Sequence, residues 1–199
     1  MRNSSTDGLG SATADAGVFE QDRYVVFRPP LSGSDLSRMY RYACYATVAG
    51  AMQPGDSQVP GTPCSYGDPV MDGLLNQLLA EVERTSGLSL FPTYSYFRIY
   101  KKGDILQRHT DRPSCEISVT LCLGYDAPES WPLWIQGPRG VRSVPFKSGE
   151  ALLYRGIECP HWRDEFPGNR WVQVFLHYVD QNGPNAEWKF DKRKSLASF

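Results

Sequence analysis

The chain contains three histidines, and two of them stand in a pattern that could bind a metal ion. His109 and Asp111 form an H-x-D triplet, and His161 follows fifty residues after Asp111. In an extended segment, residues i and i+2 point the same way, so both side chains of the triplet can reach one ion. Two imidazoles and one carboxylate are the facial ligand set of non-haem Fe(II), and they leave positions open for a co-substrate and dioxygen. The pattern therefore predicts an iron site.

Two further residues are placed as a co-substrate anchor would require. Tyr100 lies nine residues before His109, with Gly103 between them, and Arg170 lies nine residues after His161. A dicarboxylate can chelate the metal at one end while Arg170 binds its far carboxylate in a charge-assisted pair. The Tyr100 hydroxyl can add a hydrogen bond. We expect Tyr100 and Arg170 to bind the co-substrate.

With these residues the chain resembles the Fe(II)/2-oxoglutarate-dependent oxygenases, and among them the prolyl-4-hydroxylase-like branch. The resemblance covers about residues 94–179 and rests on motifs in the family's order: Tyr100-Lys-Lys-Gly103, His109-Thr-Asp111, Ser148-Gly149-Glu150-Ala151, His161 and Gly168-Asn-Arg170-Trp171. It implies a double-stranded β-helix, or jelly roll, with iron at its open end. It also implies that the metal ligands are His109, Asp111 and His161. Tyr100 and Arg170 would bind the distal carboxylate of 2-oxoglutarate.

The resemblance implies a reaction with Fe(II) as cofactor and with 2-oxoglutarate and dioxygen as co-substrates. An unactivated C–H bond is oxidised, by hydroxylation as the default, while 2-oxoglutarate is decarboxylated to succinate. Asp111 argues against halogenation, because related halogenases lack this carboxylate. Desaturation, epimerisation and demethylation stay open, since they would use the same centre. The chain departs from many members in having Val172 where they place a serine, and the prolyl-4-hydroxylase branch often has lysine at Arg170.

The substrate is less clearly indicated than the metal site. Strand alternation suggests Tyr96 and Arg98 as substrate contacts, and its place between two ligands suggests Thr110. Trp134 lies near a strand that could cover the other side of the pocket, and core packing is an equally good interpretation of it. Three arginines either converge on an anionic substrate or lie solvated on a rim: Arg108, Arg112 and Arg163. The third histidine, His177, is expected to be structural.

The spacing of apolar residues predicts a mainly β fold with some α structure. A strand is expected at 24–27, followed by helices that begin near Ser34 and at Asp68-Pro69. Short strand-like runs then follow one another at 94–100, 115–123, 133–136, 141–144, 151–154 and 171–178. Such a run of strands after two helices predicts a jelly roll buttressed by N-terminal helices.

The same pattern predicts a single oxygenase domain over residues 18–180, with a helical part at 18–92 and a jelly-roll core at 93–180. Residues 1–17 are polar and non-periodic and are expected to form a flexible tail. Residues 181–199 are expected to be a polar, loosely packed extension. The segment 52–67 is rich in Gly and Pro and is expected to be a loop that could act as a lid.

Composition restricts the partners and the compartment. The 199 residues carry a net charge of −1, which argues against a nucleic-acid partner bound through bulk charge. No apolar run approaches the ~20 residues of a membrane span, and the polar N-terminus shows no secretory signal. The five cysteines form no C-x-x-C pair and are expected to be reduced, as in the cytoplasm. We expect a small-molecule or peptidyl substrate.

Two other interpretations stay open at this point. A non-catalytic jelly-roll module could keep a metal site for structure or binding, but it would not need the anchor at Tyr100 and Arg170. A cupin-type metalloenzyme that does not use 2-oxoglutarate is also conceivable, although such enzymes usually have more histidine ligands than this chain offers.

Overall fold

The computed structural model describes residues 7–198. Four helices cover Asp7–Asp22 (α1), Gly33–Val48 (α2), Pro69–Gln77 (α3) and Leu79–Ser86 (α4). The first strands are Tyr24–Phe27 (β1), Gln53–Gly55 (β2), Pro60–Tyr66 (β3), Leu90–Lys101 (β4) and Leu106–His109 (β5). The next three are Ile117–Asp126 (β6), Leu133–Gly137 (β7) and Gly140–Val144 (β8). The last three are Ala151–Arg155 (β9), His161–Arg163 (β10) and Arg170–Asp180 (β11).

The strands form two antiparallel sheets that face each other. The larger sheet has the order β1-β9-β6-β11-β4-β3-β2, and the smaller has the order β5-β10-β7-β8. This is the predicted jelly roll, and all the predicted strands are present. Strand β1 lies where a strand was predicted and extends one edge of the larger sheet, while β2 and β3 come from the segment expected to be a loop and extend the other edge.

Alternation along β11 separates two hydrophobic cores. Val172, Val174 and Leu176 point outward and belong to the cluster that packs the helices on the larger sheet. Trp171 points inward and belongs to the second cluster, which lies between the sheets. The inner faces of the strands therefore enclose the space where a site can form.

The helix starts follow local capping chemistry. Asp68 caps α3 by accepting hydrogen bonds from the amides of Val70 and Met71, as predicted. Helix α2 begins at a capping box between Ser32 and Asp35, two residues before the predicted Ser34. No helix within residues 7–198 is long and apolar enough to cross a membrane.

Three predicted segments differ in the structure. Residues 7–17 lie in α1 and not in a flexible tail, and residues 1–6 lie outside the described residues. The expected loop 52–67 is the hairpin β2–β3 at the edge of the larger sheet, a position that tolerates proline. The C-terminal extension is tightly attached, because Arg193 and the Ala197 amide both donate to the buried carboxylate of Asp72.

Candidate active site

The predicted metal ligands come together at one end of the two-sheet sandwich. His109 ends β5 and His161 begins β10, and the two are direct partners across the smaller sheet, with ring centroids 4.3 Å apart. The Nε2 atoms of both rings lie 3.6 Å from Oδ1 of Asp111. One ligand atom from each of the three residues lies within 4.8 Å of the others. The H-x-D triplet and the distant histidine therefore form one cluster, as the spacing predicted.

Backbone carbonyls orient both imidazoles. His109 Nδ1 lies 2.8 Å from the Gln107 carbonyl oxygen, and His161 Nδ1 lies 2.9 Å from that of Cys159. A carbonyl oxygen only accepts, so each Nδ1 carries a proton, and in a neutral ring Nε2 then keeps its lone pair. Both lone pairs are thus available on the side of Asp111, which is the arrangement a divalent metal requires.

Backbone and side-chain contacts fix the position of Asp111. Its amide donates to the Gly156 carbonyl oxygen at 2.9 Å, and Ser118 Oγ lies 3.1 Å from Oδ2. A Cβ atom at Gly156 would overlap this carboxylate, so glycine is required there. Burial alone would raise the pKa of Asp111, but the neighbouring His109 and His161 outweigh it and lower that pKa to about 2. The group is therefore a carboxylate at neutral pH, with Oδ1 free to bind a metal.

The donor set fits iron. Two neutral imidazoles and one carboxylate on one side of a centre, with a cavity on the other side, match the facial triad of Fe(II) oxygenases. His161 is 3% exposed, so the ion would be shielded from bulk solvent on the protein side.

A cavity of about 360 Å³ opens in front of the three ligands. Tyr96, Arg98, Tyr100 and Thr110 all line it, as the sequence suggested. The Tyr100 hydroxyl lies 3.4 Å from Arg98 Nη1, and Arg98 also forms an ion pair with Asp56 from the β2–β3 turn. The turn between β2 and β3 thus forms part of the rim.

The predicted anchor Arg170 requires a correction. Arg170 is exposed, does not line the cavity, and donates to Cys44 Sγ on α2 at 3.5 Å. The reason is strand alternation, because the inward position at this end of β11 belongs to Trp171. Arg170 therefore lies on the outer face of the sheet and cannot bind a ligand in the cavity.

Trp134 also lies away from the cavity. It stacks on Trp162 with centroids 6.1 Å apart and donates to Asp164 at 2.7 Å. Its neighbours in sequence, Leu133 and Ile135, are the buried residues of β7, so alternation directs Trp134 to the outer face of the smaller sheet. It is not a substrate contact within this cavity.

The three arginines expected either to converge on an anionic substrate or to lie solvated on a rim do neither as a group, and of the three only Arg112 lines the cavity. Arg108 lies on the outer face near Gln136 and Trp162, and Arg112 pairs with Asp191 of the C-terminal segment at 2.7 Å. Arg163 is 1% exposed. Each of the three therefore has a different environment.

Arg163 is a functional candidate that the sequence pattern did not single out. Its guanidinium lies 4.5–5.1 Å from the rings of Trp131, Phe146 and Trp171. It donates to the Trp131 carbonyl oxygen and, at 3.4 Å, to Gln173 Oε1, and no carboxylate among the described residues pairs with it. Burial lowers its pKa to about 10, so it is a cation at neutral pH. Its position two residues after His161 on the same strand was the available signal.

Comparison with known proteins supports the fold. No family model matches the chain, and no curated protein matches its sequence. A Pseudomonas putida prolyl-4-hydroxylase is similar in structure, with a TM-score of 0.68 and 16% identity over 85% of this chain and 98% of that one. The 2-oxoglutarate-dependent epimerase SnoN from nogalamycin biosynthesis gives a TM-score of 0.75 and 12% identity over 96% of this chain and 92% of that one.

A third similar structure is a Trichoplax adhaerens prolyl hydroxylase in complex with a fragment of hypoxia inducible factor. Its TM-score is 0.72, with 14% identity over 93% of this chain and 94% of that one. A SnoN structure also contains Fe3+ and 2-oxoglutarate. The chain therefore has the double-stranded β-helix fold of the Fe(II)/2-oxoglutarate oxygenases, in agreement with the resemblance seen in its motifs.

Proposed function

We propose that the chain is an Fe(II)- and 2-oxoglutarate-dependent dioxygenase that hydroxylates an unactivated C–H bond of a small-molecule or peptidyl substrate. The observation that supports this most is the convergence of His109, Asp111 and His161 at the mouth of a cavity in this fold. The reaction converts 2-oxoglutarate and dioxygen to succinate and carbon dioxide as the substrate is oxidised.

The three ligands have separate tasks in this proposal. His109 and His161 present Nε2 lone pairs that their carbonyl partners keep unprotonated. Asp111 supplies one negative charge through Oδ1, while Ser118 restrains Oδ2. Iron held by these atoms supplies the dioxygen chemistry, and the protein supplies orientation and a cavity that limits water.

We assign the distal carboxylate of 2-oxoglutarate to Arg163 and Tyr100. A buried cation without a carboxylate partner is costly, so an anionic ligand beside Arg163 would supply that partner. His161 and Arg163 are the two inward residues of β10, with Trp162 between them. Arg163 does not itself line the cavity, but Tyr100 and Tyr154 do, and both interact electrostatically with its guanidinium. This assignment replaces Arg170.

The remaining cavity wall would receive the substrate. Tyr96, Arg98 and Thr110 belong to this part, together with the rim formed by Asp56. With the co-substrate bound, the 360 Å³ cavity leaves room for a compact group, which favours a small molecule or one side chain of a peptide. Both kinds of ligand occur among the similar structures, one bound to a peptide fragment and one to nogalamycin RO. Five free cysteines favour a cytoplasmic location.

Turnover of 2-oxoglutarate tests the proposal. The purified chain is incubated in air with Fe(II), ascorbate and 2-oxoglutarate, and succinate is quantified. We expect slow succinate release without a substrate, and none from Asp111→Ala. If the wild type binds iron and 2-oxoglutarate but releases no succinate with any of a broad panel of amino acids, peptides and metabolites, it is a binding module and the proposal fails.

A further inference from the structure

His177 lies in the cavity wall, although the sequence suggested a purely structural role. It comes from β11, is 6% exposed, and packs against the Tyr94 ring at 4.6 Å between centroids. Ser118 Oγ lies within hydrogen-bonding distance of both His177 Nδ1 and Asp111 Oδ2. His177 is therefore next to the metal ligands without being one of them.

The Ser118 hydroxyl determines which nitrogen of His177 carries the proton. Oγ of Ser118 lies 3.1 Å from Asp111 Oδ2, 3.0 Å from the Cys115 carbonyl oxygen and 2.9 Å from His177 Nδ1. The carboxylate and the carbonyl can only accept, and if the hydroxyl proton pointed to His177, both would face the Ser118 oxygen with no hydrogen between them. The proton therefore goes to one of these two acceptors. The bond to His177 is then donated by Nδ1–H. In a neutral imidazole this leaves the lone pair on Nε2.

Burial keeps this imidazole neutral, since it lowers the pKa of His177 to about 4. Within the described residues, Nε2 has no hydrogen-bond partner, and the ring borders the cavity. Neighbouring hydroxyls on the same wall are already engaged: Tyr94 with Cys115 Sγ at 3.0 Å, and Tyr96 with Asp56 at 2.6 Å. His177 thus offers an unused acceptor beside the metal centre.

We propose that His177 Nε2 accepts a hydrogen bond from a hydroxyl or N–H group of the substrate and so positions the neighbouring C–H bond at the metal. This inference rests on the proposed function. It predicts a substrate class, namely compounds with a hydrogen-bond donor close to the oxidised carbon, such as alcohols, amines and amides. Ethers and tertiary amines of the same shape would be discriminated against.

The first test measures the tautomer. The chain has three histidines, so 15N-histidine labelling gives few signals, and His177→Asn identifies the one from His177. We expect an unprotonated Nε2 and a protonated Nδ1 at neutral pH, in the metal-free chain and in the Zn(II)- and 2-oxoglutarate-loaded chain. A protonated Nε2 in either form would overturn the proposal. The metal-free spectrum does not depend on 2-oxoglutarate binding. It therefore tests the role of His177 separately from the proposed dioxygenase function.

The second test uses matched fragments as probes. Pairs such as pyrrolidine with N-methylpyrrolidine, and cyclopentanol with its methyl ether, are titrated into the Zn(II)- and 2-oxoglutarate-loaded chain and followed by NMR. We expect the donor of each pair to bind about tenfold more tightly, which corresponds to about 1.4 kcal/mol. Equal affinities within the pairs, or no binding of any donor, would contradict the proposal.

Two variants separate this contact from a structural role. In His177→Asn the amide nitrogen can keep the bond to Ser118, but nothing replaces Nε2. In His177→Gln the amide can occupy the Nε2 position, but the bond to Ser118 is lost. We expect the Asn variant to keep 2-oxoglutarate affinity within twofold and to lose the preference for donors, and the Gln variant to retain part of that preference. The opposite ranking would show that His177 acts only through Ser118.

Discussion

His161 and Arg163 alternate with the half-buried Trp162 on strand β10, and both are buried on its inner side. His161 Nε2 lies 3.6 Å from Asp111 Oδ1, and the Arg163 guanidinium packs against three aromatic rings. One short strand therefore joins the candidate metal site to a buried cation. The distance between consecutive inward residues of a strand is about 6.6 Å, which suits a five-carbon dicarboxylate chelated at one end.

Substituting Arg163 should weaken 2-oxoglutarate binding, whereas substituting Arg170 should not. We expect Arg163→Met to lower the affinity of the Zn(II)-loaded chain about 30-fold or more, because a buried charge pair of this kind contributes about 2 kcal/mol or more. Arg170→Met is the matched control, since Arg170 is exposed on the outer face. Isothermal titration calorimetry measures both. Equal effects of the two substitutions would disprove the assignment.

The stability of the same variant distinguishes a ligand anchor from a packing residue. Without ligand, Arg163 is a buried charge with no carboxylate partner among the described residues. Replacing it with an apolar side chain of similar length should leave the melting temperature unchanged or raise it. A clear fall in the melting temperature together with unaltered 2-oxoglutarate affinity would mean that Arg163 serves packing alone.

The metal-ligand candidates follow from residue spacing in the sequence. Arg170 and Arg163 were not assigned correctly, because their orientation depends on strands that the spacing does not show. His109, Asp111 and His161 were identified because the i, i+2 spacing is local. Arg170 was misassigned because the inward face of β11 is set by its pairing with β4 and β6, which sequence spacing does not show. Alternation from His161 would have indicated Arg163, but a strand of three residues is too short to recognise as one.

The helices and strands, like the site residues, could be predicted only where they leave a local pattern in the sequence. Long runs of alternating apolar residues gave strands β4, β6 and β11, because burial on at least one face leaves a pattern. The hairpin β2–β3 escaped prediction because its Pro and Gly residues are typical of loops, and an edge strand tolerates them. The attachment of the C-terminal segment depends on a single buried acceptor, Asp72, which no local pattern reveals.

His177 should make the stability of the metal-free chain depend on pH. Its pKa in the folded chain is about 4, below the ordinary value of 6.5, so between these values the unfolded chain binds a proton that the folded chain does not. The contribution of His177 to the free energy of unfolding is then fully present above about pH 6.5. It falls as the pH is lowered, by about 2 kcal/mol from about pH 7 to about pH 5. Urea unfolding should show a smaller fall for His177→Gln. Identical falls would contradict the buried, neutral imidazole.

Removing Arg193 should destabilise the chain. The Asp72 side chain is fully buried and accepts from the Ser95 amide, the Ser95 hydroxyl, Arg193 and the Ala197 amide. Arg193→Ala would leave this carboxylate without its cation, and because Arg193 is partly exposed we expect a loss of about 2 kcal/mol in urea unfolding. The control Lys192→Ala breaks an exposed pair with Glu187 and should cost less than about 0.5 kcal/mol. Similar losses for both would contradict the tight C-terminal attachment.

Thiol reactivity should single out one cysteine. Cys44 is partly exposed, and the other four cysteines are buried. Burial raises the pKa of Cys115 and Cys122 to about 12 and that of Cys159 to about 11, so few thiolates form at mildly alkaline pH. Ellman's reagent should modify one thiol rapidly in the native chain and five after denaturation. Cys44→Ser should abolish the fast phase, and a fast phase that persists would contradict this burial pattern.

We expect His109, Asp111 and His161 to hold an iron ion to which 2-oxoglutarate binds directly. Anaerobic titration of the chain with Fe(II) and then with 2-oxoglutarate, followed by visible absorption, tests it most directly. We expect a weak metal-to-ligand charge-transfer band that appears on addition of 2-oxoglutarate and is absent in Asp111→Ala. Bound iron with no such band in the wild type would contradict chelation at this site and favour a metal-binding module or a metalloenzyme that does not use 2-oxoglutarate.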